Sequence, residues 1–497
     1  MIGALRLSPL DDVAILTATA EAGTELCGVR LLQAIPAAHK VALHAIPAGA
    51  VIRKYGQPIG IASQAIAAGE HVHSHNLVVG AHVTGDVAAA GAVPVQAAVA
   101  DASFEGYLRA DGRTGTRNVI GIIASVNCSA TVVRRIARQY EDRDLPGIDA
   151  VVPFTHGGGC GMSKAGEGFE MLERTIAGYA HNPNFGGVLL IGLGCEVAQI
   201  DDMLERQGLV PGPRLRTLGI QDAGGTAEAI AAGTRIVEEL IELAGADRRS
   251  TRPASELVLG LQCGGSDGWS GVTANPALGV ASDLLVRAGG TAILSETPEI
   301  YGAEHLLLAR AKDPAVARAL ESRIAWWQDY AARNGADLDN NPSPGNKAGG
   351  LTTIFEKSLG AVAKAGSSPL NEVVLYGERP IEQGLIFMDS PGYDPCSATG
   401  QIASGANLLA FTTGRGSVFG AQPTPCLKLA SNAALAKAMA DDIDVDCSPV
   451  LDGMPLDQLG EAIFRTLLEV ASGRPTKSEA LGIGDFEFVP WQLGAWL

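Results

Sequence analysis

The sequence predicts an α/β protein in which mostly parallel sheets follow a small β-rich module. Three observations carry that prediction. Apolar runs of the buried-strand type recur at Val119–Ile123, Ala150–Phe154 and Gly187–Ile191. Helical patterns separate them, at Ala130–Tyr140 and Gly166–Ala180. Glycine is over-represented, at 62 of 497 residues, without the three-residue period of collagen. Strands alternating with helices build βαβ units, and excess glycine marks tight turns and close backbone approaches.

Taken in order, residues 1–77 hold short apolar alternations at Asp12–Leu16, Val41–Leu43, Gly49–Ile52 and Ile59-Gly60, bounded by Gly, Pro and Asp. They read as short strands of a compact β-rich domain. Residues 78–103 are rich in Ala, Gly and Val with little periodicity and read as a connector. A first α/β domain is expected over 104–250. The polar stretch Gly245–Ser255 then breaks the pattern, and a fresh strand at Leu257–Leu261 opens a second α/β domain over 251–497.

Fifty-four acidic residues against 37 basic ones give a formal net charge of −17, which opposes nucleic-acid and anionic-membrane partners. With 46% hydrophobic and 18% charged residues the chain is globular rather than disordered. Met1–Leu10 lacks a basic region followed by an apolar one, and no run of about 18 apolar residues occurs. A cytoplasmic location follows, with the eight cysteines reduced. A homo-oligomer is compatible with all of this.

Three apolar strands run into Gly-Cys turns, at Cys160, Cys195 and Cys263. Ligands of open α/β sheets bind at the carboxyl ends of the strands, so the three could converge on one crevice. Thiolates there suit a soft metal centre or an activated nucleophile, while cysteines beside glycine turns are also ordinary buried residues. Neither dinucleotide nor ATP loops are complete: Gly192-Leu193-Gly194 lacks its third glycine, and no Gly-x-x-x-x-Gly-Lys is present. Polar loops in the second half carry Ser266, Asp267, Asn275, Glu296, Glu299, Asn346, Lys347 and Arg415 beside glycines. Amides and hydroxyls pair with substrate hydroxyls, and Arg grips carboxylates, so these loops suit a polyhydroxylated anion; turns alone would look similar. His71, His73 and His75 alternate, which places three imidazoles on one face of a strand for metal ligation or proton transfer, unless that face is merely solvated.

Several motifs, in order, give the chain a family likeness: Lys54-Tyr55-Gly56-x-Pro58-Ile59-Gly60, Gly69-Glu70-His71-Val72-His73-x-His75-Asn76, Asp111-Gly112-Arg113-x-Gly115-x-Arg117-Asn118, His181-x-Pro183-Asn184, Gly192-Leu193-Gly194-Cys195-Glu196, Cys263-Gly264-Gly265-Ser266-Asp267-Gly268, Asn341-Pro342-Ser343-Pro344-Gly345-Asn346-Lys347 and Thr413-Gly414-Arg415-Gly416. The chain resembles the altronate/galactarate dehydratases over essentially its whole length. That resemblance implies an N-terminal SAF module, a small β-clip fold, ahead of Rossmann-like α/β domains. It also implies dehydration of a small-molecule sugar acid to a 2-keto-3-deoxy acid, with Fe2+ or a comparable divalent metal such as Mn2+ as cofactor; the cysteine pattern leaves open whether the iron is mononuclear or an iron–sulfur cluster. The chain is similar as well to sulfolactate sulfo-lyases, which eliminate sulfite, and a non-catalytic sugar-acid binding protein is the reading outside enzymes. On this basis Cys160, Cys195 and Cys263 are the expected metal ligands. His73, His75 and Lys347 are the expected catalytic groups. Ser266, Asp267, Asn275 and Asn346 are expected on substrate hydroxyls, with Arg415, helped by Lys347, on carboxylates.

Overall fold

The computed structural model describes residues 3–80, 99 and 101–494. Of the expected connector over 78–103, residues 81–98 and 100 lie outside the described residues. The N-terminal module is built only of short antiparallel strands. Ala4–Leu5, Val13–Leu16, Lys40–Ala42 and His71–Val72 form one four-stranded sheet, and Val51–Lys54, Gln57–Ala62 and Leu77–Val78 form a three-stranded one. Tyr55 and Gly56, both at positive φ (60° and 71°), make the tight hairpin turn between Val51–Lys54 and Gln57–Ala62. That is the turn geometry whose twist matches paired strands.

The next sheet is wholly parallel, in the order β2-β1-β3-β4, with β1 Val119–Ala124, β2 Ala150–Phe154, β3 Phe185–Gly192 and β4 Leu215–Gly219. Helices α1 (Ala130–Ala137), α2 (Glu167–Ala180) and α3 (Thr226–Gly245) cover it. Alternation divides β1 between its two faces: Ile120, Ile122 and Ala124 pack with Val133, Ile136 and Leu240, while Val119 and Ile123 pack with Phe154, Phe169 and Ile176. The second core continues into the C-terminal part through Leu409, Phe411 and Phe419.

The largest sheet is also wholly parallel and seven-stranded, in the order β7-β8-β6-β5-β9-β10-β11. Its strands are β5 Val258–Cys263, β6 Thr291–Leu294, β7 Leu370–Val374, β8 Gly384–Met388, β9 Leu408–Thr413, β10 Cys426–Ala430 and β11 Val445–Asp446. Helices α4 (Ala274–Arg287), α5 (Pro314–Arg333), α6 (Ile354–Val362), α7 (Asp394–Ala403) and α8 (Leu456–Ala471) flank it. The polar stretch expected as a break does contain a strand: Ser250–Pro253 pairs antiparallel with Ser103–Leu108. It is mostly exposed, so backbone pairing rather than apolar burial holds it, and a hydrophobic pattern gives no sign of such a strand.

The β-clip docks on this last part. Ile52, Ile59, Val72 and Leu77 join the same core as Leu259, Leu261, Leu294 and Phe387. At the seam Glu356 of α6 receives hydrogen bonds from Lys40 Nζ at 2.9 Å and from Lys54 Nζ at 2.8 Å, all three side chains being at most 1% exposed. Thr352 N donates to the same carboxylate at 2.9 Å, and Lys40 also donates to Gly350 O. Burial opposes the charge on Glu356, but the two ammoniums outweigh it and hold the carboxyl far below its ordinary value. Burial pushes Lys40 down to about 8, whereas at Lys54 the attraction of Glu356 overcomes burial and raises the ammonium.

Candidate active site

In the large sheet β5 lies between β6 and β9, and the chain builds outward on the β6 side before crossing to β9. Cys263, paired in register with Thr412, ends β5 at that switch point, where open parallel sheets bind ligands. The chain leaving β6 brings Glu296 and Glu299 beside it, and the start of α7 after β8 brings Asp394, close against Gly264. Cys263 Sγ donates to Glu299 Oε2 at 3.3 Å. From α6, Lys357 Nζ donates to Glu299 Oε1 at 2.5 Å and to Asn341 Oδ1 at 2.6 Å. Lys364 Nζ reaches Glu296 Oε2 at 3.5 Å. Glu296 Oε1 is buried with no hydrogen-bond partner. Glu296 itself has φ +71°, a left-handed conformation that costs a non-glycine residue of order 1–3 kcal/mol.

Burial dominates the electrostatics. It pushes the Cys263 thiol up to about 12 and raises Glu296 well above the carboxylate range, with the charge of Glu299 adding to the effect. At Glu299 burial is outweighed by Lys357 and Lys364, so this carboxyl stays below its ordinary value. Burial, then Glu299, raises Asp394 to about 6. Carboxyls driven apart in this way are the arrangement that lets one fold hold a base and an acid at neutral pH.

The β-clip presents a second cluster. His39, His71, His73 and His75 pack with ring centroids 5.0–5.5 Å apart. His73 Nε2 donates to Lys347 O at 2.9 Å and His39 Nε2 to Ala348 O at 3.3 Å. His39 Nδ1 is therefore the acceptor in its neutral ring, and His71 Nε2 donates to it at 3.0 Å. The loop 341–350 thus runs from the carboxylate cluster, through Asn341, to the imidazoles, through Lys347 and Ala348.

Burial, then the neighbouring rings and Lys40, lowers His71 to about 3; burial and Lys40 lower His73 to about 4. Below the ordinary value of 6.5 the unfolded chain takes up protons that these folded imidazoles refuse. Stability falls as pH is lowered from about 6.5 toward about 4 and, so far as these groups act, is flat above 6.5. Thermal unfolding across this range checks it: His71→Gln and His73→Gln should each flatten the slope, and an unchanged slope in both would show that other groups set it.

The sequence-predicted residues separate into three places. Cys160 and Cys195 are exposed at the end of the four-stranded sheet, whereas Cys263 is buried at the end of the seven-stranded one. The structure does not bring these three together. Among the described residues the set of donor atoms that falls within 4.8 Å of one another is Cys263, Glu296 and Glu299. Arg415, exposed, lines a cavity of about 900 Å³ between the β-clip and the large sheet, with Ala38, Asp267, Trp269 and Gly349. Lys347 is half-buried and His75 exposed beside the imidazole cluster. Four expected hydroxyl partners are buried and engaged with the chain itself. Asp267 Oδ1 accepts from Ser270 Oγ and Ser431 Oγ, and Oδ2 from Asn432. Asn275 bridges Gly360 O and Thr412 Oγ1, and Asn346 caps its own helix with Ser343 and donates to Ser266 O.

Sequence reasoning missed Lys357, Lys364, Asp394 and His39 and left Glu296 and Glu299 unassigned. The available signal for the lysines was a charge inside an apolar helical stretch, Ile354–Val362 and the turn after it, where every residue but Ala363 is buried. His39 had none, since strand pairing alone sets it beside His71.

Family models match the chain almost end to end: the altronate/galactarate dehydratase SAF domain over residues 2–80, the second domain of D-galactarate dehydratase/altronate hydrolase over 106–245, and the C-terminal D-galactarate/altronate dehydratase domain over 254–496. Altronate dehydratase of Escherichia coli (strain K12) is 36% identical over 485 residues, covering 96% of each chain. Galactarate dehydratase (L-threo-forming) of the same organism is 39% identical over 485 residues, 95% of this chain and 93% of that one. The (2R)-sulfolactate sulfo-lyase subunit beta of Chromohalobacter salexigens is 32% identical over 390 residues, 77% of this chain and 96% of that one. No helix among the described residues is long and apolar enough to cross a membrane. A β-clip laid across the carboxyl end of a parallel sheet, with matches to all three domain models in order, places this chain in the altronate/galactarate dehydratase family of hydro-lyases.

Proposed function

We propose that this chain dehydrates a sugar acid of the altronate or galactarate type, removing the C2 proton and expelling the 3-hydroxyl to give a 2-keto-3-deoxy acid. The observation that carries the reading is the buried group of Cys263, Glu296, Glu299, Lys357 and Lys364, opened to the surface by the half-buried Asp394. The same group fits a divalent metal. Glu296 Oε1 stands buried without a partner, and Cys263, Glu296, Glu299 and Asp394, fully ionised against two ammoniums, leave a charge that a dication balances. Cys263, Glu296 and Glu299 would hold Fe2+, or Mn2+, by one sulfur and two oxygens. A metal bound there supplies Lewis acidity toward the negative charge that develops on the substrate carboxylate and its α-carbon.

The chain's own groups do the rest. Asp394, raised to about 6, takes the C2 proton at neutral pH, where it is ionised and still basic enough to be effective. Lys357 and Lys364 keep Glu299 and Glu296 in place and limit repulsion with the incoming anion. Arg415, on the cavity between the β-clip and the large sheet, grips a carboxylate, helped by Lys347 of the loop that passes Arg415 at Gly349. His75, exposed on the seam, relays a proton from solvent to the departing hydroxyl, and His73, neutral at this pH, positions the loop through Lys347 O.

The test is a panel of aldonates and aldarates, plus sulfolactate, incubated with reduced protein and Fe2+ or Mn2+. We expect keto-acid formation from altronate or galactarate and no sulfite. Sulfite release from sulfolactate with no keto acid from the panel, or tight binding without turnover, would overturn the proposal.

A further inference from the structure

The four-stranded sheet carries a cluster that the dehydration chemistry leaves unused. Its strands β2, β1 and β3 are parallel neighbours, and the chain leaving each one reaches an exposed cysteine: Cys160, Cys128 and Cys195. By contrast Cys263, Cys396, Cys426 and Cys447 are all buried.

The three loops are tied to one another. Asn127 N donates to Gly158 O at 3.0 Å, Asn127 Nδ2 to His156 O at 3.2 Å, and Ala198 N to Gly159 O at 3.1 Å. Ser125 Oγ donates to Glu196 Oε1 at 3.1 Å, and the same carboxylate accepts from Leu193 N at 3.0 Å and Gly194 N at 2.6 Å. Gly159 and Gly194 stand at φ +96° and +121°, where a Cβ would strike Ser125 O and Gln221 Oε1 respectively. Only glycine supports those turns, so Cys160 and Cys195 are held by rigid backbone. Asn127, Gly159 and Gly194, the residues just before Cys128, Cys160 and Cys195, all take part in these ties, so the three cysteines share one end of the sheet. Gln221 Nε2 approaches Cys195 Sγ at 3.5 Å. Amide hydrogen bonds to sulfur are among the contacts that tune iron–sulfur centres.

We propose that Cys128, Cys160 and Cys195 form a second metal centre, a three-thiolate cradle for a [4Fe–4S] cluster with one iron left open to solvent. A single tetrahedral ion with metal–sulfur bonds of about 2.3 Å would draw its thiolates to roughly 3.8 Å from one another. The trio is not so drawn, because its sulfurs do not all lie within 4.8 Å. A cluster takes one thiolate per iron and spreads them wider. Three Fe–S(Cys) bonds form as three thiol protons leave to water. The proposal is independent of which ion occupies the Cys263 site.

Anaerobic reconstitution of the full chain with equal parts ferrous and ferric iron and with sulfide tests it, without any assay of turnover. We expect about four irons and about four acid-labile sulfides per chain, with thiolate-to-iron charge-transfer absorption. Cys128→Ser, Cys160→Ser and Cys195→Ser should each lose the sulfide, while Cys263→Ser should keep it. Thermal unfolding of each variant without iron, repeated for Cys160→Ala, separates loss of the ligand from loss of the fold. Iron without sulfide, full sulfide in Cys128→Ser, or a disulfide within the trio in place of the cluster would each overturn the proposal.

Discussion

Asp394→Asn is expected to lower kcat by about 10²–10⁴-fold, the range of a lost general base, with little change in KM and an intact fold. The substitution keeps the size of the side chain and removes the one carboxyl of the buried cluster that is not walled in. Because burial and Glu299 hold Asp394 at about 6, activity of the wild-type chain should rise as pH climbs through about 6 and then level off. In the variant that rise should vanish together with most of the rate. Steady-state kinetics between pH 5 and 8 on whichever sugar acid turns over decides it. A variant that keeps both its rate and its acid limb would remove Asp394 from proton transfer.

Glu356→Ala should destabilise the protein by about 3–5 kcal/mol, the usual loss when one partner of a buried ion pair is removed. Lys40 and Lys54, at 0% and 1% exposure, would be left as two neighbouring ammoniums without a counter-charge. Lys40, already lowered to about 8, would shed its proton first. Replacing all three groups together by apolar residues of similar size, Lys40→Met with Lys54→Met and Glu356→Leu, should recover much of the loss, since a well-packed apolar trio avoids the desolvation cost. Urea unfolding of the single and triple variants measures both effects. A single variant within about 1 kcal/mol of the wild type would mean that apolar contacts alone dock the β-clip.

Much of the architecture was legible because buried parallel strands are nearly continuous apolar runs. Val119–Ile123, Ala150–Phe154, Gly187–Ile191 and Leu257–Leu261 all fall within or across strands of the two parallel sheets. Ser250–Pro253 was not legible, being held by backbone pairing alone. At the site, strand ends with glycine and cysteine were visible, but which ends share a crevice depends on sheet order. Cys160 and Cys195 leave one sheet and Cys263 the other, and no spacing in a linear sequence distinguishes the two. The third cysteine at the end of the first sheet, Cys128, has no glycine on either side and did not match the Gly-Cys pattern. Lys357 and Lys364 were hidden for the opposite reason. A lysine on an apolar helix reads as a solvated end, and only the packed structure shows it facing a buried carboxylate.

Glu356 and Lys357 are consecutive residues of α6, and successive side chains on a helix point about 100° apart. One grips the β-clip and the other the carboxylate cluster. The helix therefore works as an interlock: the turn that seats the N-terminal module is the turn that aims an ammonium at Glu299. Displacing the N-terminal module would free Glu356 and, through the same helical turn, loosen the contact that Lys357 makes with Glu299.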